Sequence, residues 1–532
     1  MSFSHDADRI RKRIKEYKTE SLIIHLLNRL HSPSKQHHPA YDRAWISCLM
    51  LDWVLEGEPN VDAVDAKESD VHHILNEIWA LQSKASDISG SDNIQLTMRA
   101  FIIKQLKFQE EQSFHITFLV RLYAMICSEN ASTLFERRFN EITGVSLEKF
   151  FLFSLFLIIL FKGGKHQFLS YSQMLVKFHP LYSISEIEAI VHALGGSLYS
   201  ARKYIQSKRA EAGLLKASDY HAEPFVIERP LIALDKGISI YHTYVATIGI
   251  SEFVLRTLKS ADAQHFRDKF TKIFESYVYS LLLENDIDVF DEKNINLLYK
   301  NKNKNGKVVD FICSMQGGTV YLDAKGMEPS QHILVSDSAK IIKDKVKNAH
   351  LKGIEQVSEC ISILESIGFE NISTYQRRFA LIVTHQDFYL GSAQQLNVYF
   401  GQEFGDVLSL KVKRNIPLGN IHFCCISDLE VILSVCKQTK TNLVDFLEFC
   451  TKLENDSNTS KFDIRQCVHA YARNITGSAL IPICSESISM VYDDLYSKLC
   501  SVIKSSQEYW GGRVEELVLK SEFIKASILR AP

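Results

Sequence analysis

The stretch KVVDFICSMQGGTVYLDAKG, Lys307 to Gly326, decides how the rest of this chain is read. Two runs of strand-forming residues flank a Gly-Gly pair, and each run carries an aspartate in an apolar setting. Val, Ile, Phe and Tyr favour the pleated strand, where charge normally collects at the ends and not among the apolar residues. With Ser-Met-Gln-Gly-Gly-Thr as the turn and Ser314 opposite Thr319, the antiparallel register sets Asp310 opposite Asp323. Opposed residues share a face, and Lys325, two positions beyond Asp323, shares it too. The other face carries Val309, Phe311 and Cys313 against Val320, Leu322 and Ala324, all apolar. The expectation is a hairpin with one core face and one face that gathers two acids and a lysine.

Two carboxylates about 5 Å apart at Cβ repel each other, which raises a pKa unless a cation lies between them. Hard oxygen ligands suit Mg2+ or Mn2+. A lysine beside such an ion orients or deprotonates a water, or stabilises charge developing on a phosphate. This is the equipment of metal-assisted phosphodiester hydrolysis. D-x-K triplets also arise by chance, and the chain has three. Asp65-Ala66-Lys67 reads as a polar loop and Asp291-Glu292-Lys293 as a turn, neither with a facing carboxylate on an apolar strand.

The flanks add a helix, Ala261 to Asn285, with Phe266, Phe270, Phe274, Tyr277 and Leu281 at helical spacing and Glu275 at the edge of that face. A basic helix starts near Ser338, and two buried strands follow, RRFALIVTH (Arg377 to His385) and NIHFCCIS (Asn420 to Ser427). A helix with an acid, a hairpin with D…D-x-K, then a helix and a further strand resembles the PD-(D/E)XK, or restriction-endonuclease-like, nuclease superfamily. The resemblance covers residues 255–435, a third of the chain. It implies an αβββαβ core that binds one or two divalent metals, Mg2+ or Mn2+, and cuts nucleic acid, DNA favoured over RNA. Carried over by position, Asp310 matches the first motif acid, Asp323 and Lys325 the D/E-x-K, and Glu275 the helix acid. Those four are the implied catalytic set, with Asp310, Asp323 and Glu275 as metal ligands and Gln356 as an auxiliary polar residue. Val309 stands where the motif has proline, and Asp323 where glutamate is more usual.

Charge points to the same place. The whole chain is slightly acidic, with net charge −2, yet Lys293 to Lys352 holds eleven lysines against five acids. Lys300, Lys302, Lys304 and Lys307 precede the hairpin, and Lys340, Lys343 and Lys347 share one face of the next helix, opposite Ile342, Val346 and Ala349. Beside a metal site these lysines read as a phosphate-backbone track. No H-E-x-x-H, Walker A loop, Rossmann fingerprint or G-x-S-x-G elbow competes with this chemistry.

The rest of the chain frames the site. At 532 residues, 46% apolar and 23% charged, it is globular and too long for one core. Eleven cysteines without a C-x-x-C pair fit reduced thiols in a cytosolic compartment. The apolar run Phe150 to Phe161 is too short to span a bilayer and reads as a buried helix, so no membrane partner is expected. The fold expected is multidomain α plus α/β. Residues 1–215 form a helical array that recognises a protein partner or substrate, 216–254 a hairpin and helical connector, 255–435 the nuclease-like domain, and 436–532 a helical C-terminal region. Within the array, Ser170 to Arg209 reads as further helices of the array in preference to a helix-turn-helix. A helical array joined to such a domain resembles bacterial restriction or anti-phage effectors in architecture. The rival reading is a non-catalytic interaction or nucleic-acid-binding protein that keeps the fold only as a scaffold.

Overall fold

The computed structural model describes residues 2–32, 43–86, 94–109, 112–127, 132–164, 166–329, 333–334, 336, 338–370, 373–401, 408, 415–456, 458–477 and 485–530. The chain is mostly helical and divides into two compact units. One comprises Met1–Ser91, Ala100–Gln264 and Met490–Pro532, the other Asp92–Arg99 and His265–Ser489. Residues 216–254 and the end of the chain, set apart in the sequence, therefore belong to the first unit.

Among its described residues the first unit is helical apart from one hairpin, Leu231–Leu234 with Gly237–Ile240, whose strands are buried and whose turn at Asp235-Lys236 is exposed. Serines start its helices where the sequence supplies them. Ser146, Ser170, Ser183 and Ser197 each accept a backbone N–H with the side-chain oxygen, which satisfies a donor the first turn cannot. The apolar run lies in helix Leu147–Lys162, buried inside this unit. Among the described residues no single helix is long and apolar enough to cross a membrane. Ser170 to Arg209 forms three helices, and the last, Leu198–Ala212, pairs three of its bases with acids of the same unit: Arg202 with Glu58, Arg209 with Glu56 and Asp219, Lys208 with Glu228. That helix serves packing in the unit.

The second unit is built on a five-stranded mixed sheet. Its elements in order are α1 (Ala263–Glu284), β1 (Val289–Asp291), α2 (Glu292–Asn301), β2 (Phe311–Met315), β3 (Gly318–Lys325), α3 (Ala339–Val346), α4 (Lys352–Ser366), β4 (Arg378–Thr384), α5 (Ala393–Phe400), β5 (Ile421–Cys425), α6 (Ile426–Thr439), α7 (Leu443–Glu454) and α8 (Ile464–Thr476). Strands run in the spatial order β1-β2-β3-β4-β5. The first two pairings are antiparallel and the last two parallel. The β2–β3 register is the one the turn demands, Ser314 with Thr319 and Phe311 with Leu322. Gly317 takes φ 97° in that turn, a conformation that costs glycine little.

The hairpin differs from the expectation in one respect: both of its faces are covered. Phe311 stacks on Tyr279 of α1 at 5.8 Å on one side. On the other, Ile312 and Tyr321 join Ile354, Val357 and Ile361 of α4 in one hydrophobic core. A parallel pairing brings β4 alongside β3, and strands in that setting are apolar on both faces; β4 is buried at every position. The acids therefore sit at the end of a sandwiched sheet and not on an open face. Eight of the ten described cysteines are buried, as small core residues are.

Candidate active site

Asp310 lies one residue before β2, where the ladder with β3 ends at Phe311–Leu322. Its Oδ2 accepts the Ala324 N–H at 2.6 Å, so the side chain leans onto the strand that carries Asp323 and Lys325. Asp323 is 0% exposed. Its Oδ2 pairs with Lys325 Nζ at 2.7 Å, while Oδ1 has no hydrogen-bond partner. Lys325 Nζ also donates to Gln356 Oε1 at 3.0 Å, and Gln356 Nε2 donates to the Val308 carbonyl at 3.1 Å. Gln356 thus ties α4, the lysine and the approach to β2 together.

What allows this closeness is Gly353. A Cβ there would meet Asp323 Oδ2 at 2.8 Å and Ile382 Cγ1 at 2.8 Å, so only a glycine lets α4 lie on the carboxylate. Just before α4 the helix widens into a π turn, Lys347–Leu351, a distortion that recurs at functional sites. Across the sheet, Gly326 lies close to Thr271, Phe270 and Phe274 of α1. One turn further along α1, Glu275 is half-buried and feels Lys325 and Asp323.

The electrostatics are those of acids gathered without enough cation. Burial, then Asp323, pushes Asp310 up to about 8, with Lys325 and the Ala324 N–H working against the rise. Burial also raises Asp323 against the pull of Lys325. Glu275 is raised by burial and then by Glu292, an acid assigned no role in the sequence. An enclosed carboxylate with an orphaned oxygen, beside a second one held above its ordinary range, is a donor set that fits a hard divalent cation. Asp310 and Asp323 could hold it, while Glu275 is linked to them by charge alone.

The lysines divide. Lys300, Lys302, Lys304, Lys340 and Lys347 are exposed and Lys343 is half-buried. Ile342, Val346 and Ala349 are fully buried on the side away from Lys340, Lys343 and Lys347. Lys307 is occupied by an ion pair with Glu355 at 2.8 Å. Lys352, exposed at the start of α4, lowers Asp323.

A second group gathers at the end of β5, where Asp387, Cys425 and Asp428 place ligand-type atoms within 4.8 Å of one another. Arg465 donates to Asp428 Oδ1 from Nε at 2.8 Å and Nη2 at 2.7 Å, and the Cys425 thiol donates to Oδ2 at 3.1 Å. Asp428 is thereby satisfied from within the protein. The signal in the sequence was slight, since the group joins a loop, a strand end and two helices. No protein-family model, no curated protein and no solved structure matches this chain.

Proposed function

We propose that the second unit is a metal-dependent nuclease with a restriction-endonuclease-like core that hydrolyses phosphodiester bonds, DNA favoured over RNA. The observation that carries this reading is the Asp310, Asp323 and Lys325 group, with an orphaned Asp323 oxygen and Lys325 held between Asp323 and Gln356. The element order is compatible with the core, since α1, β1, β2, β3, α4 and β4 follow the αβββαβ sequence, with α2 inserted after β1, α3 before α4, and α5 and β5 after β4.

A divalent cation bound there would polarise the phosphate and acidify a water. Asp310 and Asp323 hold the charge that binds it, and Glu275 closes the side nearest α1. Lys325, steered by Gln356, takes or lends a proton at the attacking oxygen, or meets the charge that grows on the phosphate. Lys300, Lys302, Lys304, Lys340, Lys343 and Lys347 bind the phosphate backbone without reading sequence. The helical unit recognises a protein partner or the substrate, an arrangement similar to that of bacterial defence effectors.

A non-catalytic nucleic-acid clamp is the second reading, and the full enclosure of Asp323 favours it. Cleavage of end-labelled DNA and RNA with Mg2+ or Mn2+ separates the two. Asp310→Ala, Asp323→Ala or Lys325→Ala is expected to lower the rate by several orders of magnitude without unfolding the chain. Full activity in EDTA, or in the double aspartate variant, refutes the metal mechanism.

A further inference from the structure

The second unit takes in Asp92–Arg99, a segment that the sequence places in the helical array. The helix Ile94–Gln109 starts there, and two side chains of its first turns enter the core of the unit. Leu96 is 0% exposed and joins the cluster that holds Leu351, Ile354 and Val357. Arg99 is 0% exposed as well, and its guanidinium bonds to backbone carbonyls. Nε donates to Tyr389 at 3.2 Å, Nη1 to Ile333 at 3.0 Å with Leu334 at 3.5 Å, and Nη2 to Phe388. Enclosing a guanidinium is costly, and burial lowers this one to about 10.

These carbonyls lie in the two connections that leave the carboxyl ends of β3 and β4. Ile333 and Leu334 fall between β3 and α3, and Phe388 and Tyr389 between β4 and α5. Lys325 is the last residue of β3, so Arg99 ties together two connections that depart from the end of the sheet where the site lies. Carboxyl ends of parallel strands are where open α/β sheets take their ligands. Tyr389 needs such a hold, since its φ of 51° lies in the left-handed region that a bulky residue seldom adopts. From Phe388 the packing continues toward the acids. Its ring meets His350 edge-on at 4.8 Å, and Phe423 meets His350 at 4.6 Å. His350 is 1% exposed and sits in the π turn Lys347–Leu351, directly before α4. That helix then brings Gly353 to Asp323 and Gln356 to Lys325.

Resting on the nuclease reading above, we propose that Arg99 is a positioning residue of the candidate site: through Phe388 and His350 it sets the π turn from which α4 presents Gly353 to Asp323 and Gln356 to Lys325. The opposing view is that Arg99 only satisfies carbonyls inside a core. Its loss would then cost stability and leave the chemistry of the folded chain unchanged.

Steady-state cleavage by the full chain, on end-labelled DNA or RNA, whichever the wild type cuts, separates the two views, with Mn2+ affinity read by calorimetry. Arg99→Met keeps the bulk and removes the donors. It should lower kcat and weaken Mn2+ by about tenfold or more each, while KM for the nucleic acid stays near the wild-type value because the lysines are untouched. Arg99→Lys keeps the charge without the planar fork and should recover part of the rate. Phe388→Leu keeps the carbonyl that Arg99 holds and removes the ring against His350, so it should slow kcat in the same way even if Arg99→Met folds poorly. Val468→Ala, a truncation in the core of α8, is the control for lost stability and should leave kcat near the wild-type value. Wild-type kcat and Mn2+ affinity in folded Arg99→Met, or in Phe388→Leu, overturn the proposal and leave the nuclease reading standing. An equal loss of kcat in Val468→Ala overturns it too. A wild type that cleaves neither DNA nor RNA overturns the nuclease reading, and the proposal with it.

Discussion

Gly353→Ala tests the packing on which the site depends. The added methyl carbon would lie 2.8 Å from Asp323 Oδ2 and 2.8 Å from Ile382 Cγ1, with Ile382 Cγ2 at 3.4 Å. Neither neighbour is the loose end of an exposed chain. Ile382 pairs with Asp323 between two parallel strands, and Asp323 is held by Lys325. Alanine in place of a helical glycine gains about 1 kcal/mol in propensity. Overpacking a filled core costs about 1 to 3 kcal/mol. The net expectation is a loss of about 1 kcal/mol, reaching about 2 where the clash is fully felt. Tryptophan fluorescence misses this change, because Trp45, Trp53, Trp79 and Trp510 all lie in the helical unit. Amide exchange by mass spectrometry over β3 and α4 reads it directly. Exchange there should speed up by roughly five- to thirtyfold while peptides of the helical unit are unchanged. The displaced carboxylate should also weaken Mn2+ binding by about tenfold or more, a further-removed consequence. Slower or unchanged exchange in β3 and α4, as the propensity gain alone would give, refutes the claim that Gly353 seats the helix on Asp323.

Two further outcomes follow from charge. Changing Lys302, Lys304, Lys343 and Lys347 to Ala together should weaken nucleic-acid binding for every sequence and lower the log–log salt slope by roughly two to four; an unchanged affinity and slope would make these lysines a solvated surface. Asp310 holds its proton more tightly in the folded chain than in the unfolded one, since its folded pKa is raised to about 8. In the cation-free protein, the contribution of Asp310 to stability is therefore fully present below the ordinary carboxylate range and is lost as pH rises through about 8. Asp310→Asn should flatten that fall in a melting-temperature series, and Mn2+ should be taken up with proton release that the variant lacks; equal slopes in the two proteins would remove Asp310 as the titrating group.

How far the sequence reaches depends on the distance over which each feature is set. The hairpin register was legible because the pleat alternates every residue and a Gly-Gly turn pins the pairing, so Asp310, Asp323 and Lys325 could be placed from twenty letters. Helical periodicity over α1 likewise marked Phe266, Phe270 and Phe274 as buried and Glu275 as a boundary residue, which is how they stand. Tyr277 differs: it is half-buried and donates its hydroxyl to Glu430 at 2.5 Å, and Val278 fills the core position beside it.

Other features have no local code. That α4 covers the acid-bearing face follows from where a helix, reached through a long connection, comes down on the sheet, and a lone glycine inside it does not announce which atom it spares. Gln356 reaches Lys325 only because that helix lands there. Glu292 looked like a turn residue because its partner, Asp310, lies on the far side of α2, and the β1–β2 pairing that joins them is three residues long. Alternation and turn chemistry are properties of neighbouring residues, and the sequence by itself determined them. The enclosure of Asp323, the steering of Lys325 and the backbone bond from Glu292 to Asp310 depend on contacts between segments whose separation along the chain carries no signal, and only the tertiary structure decided them.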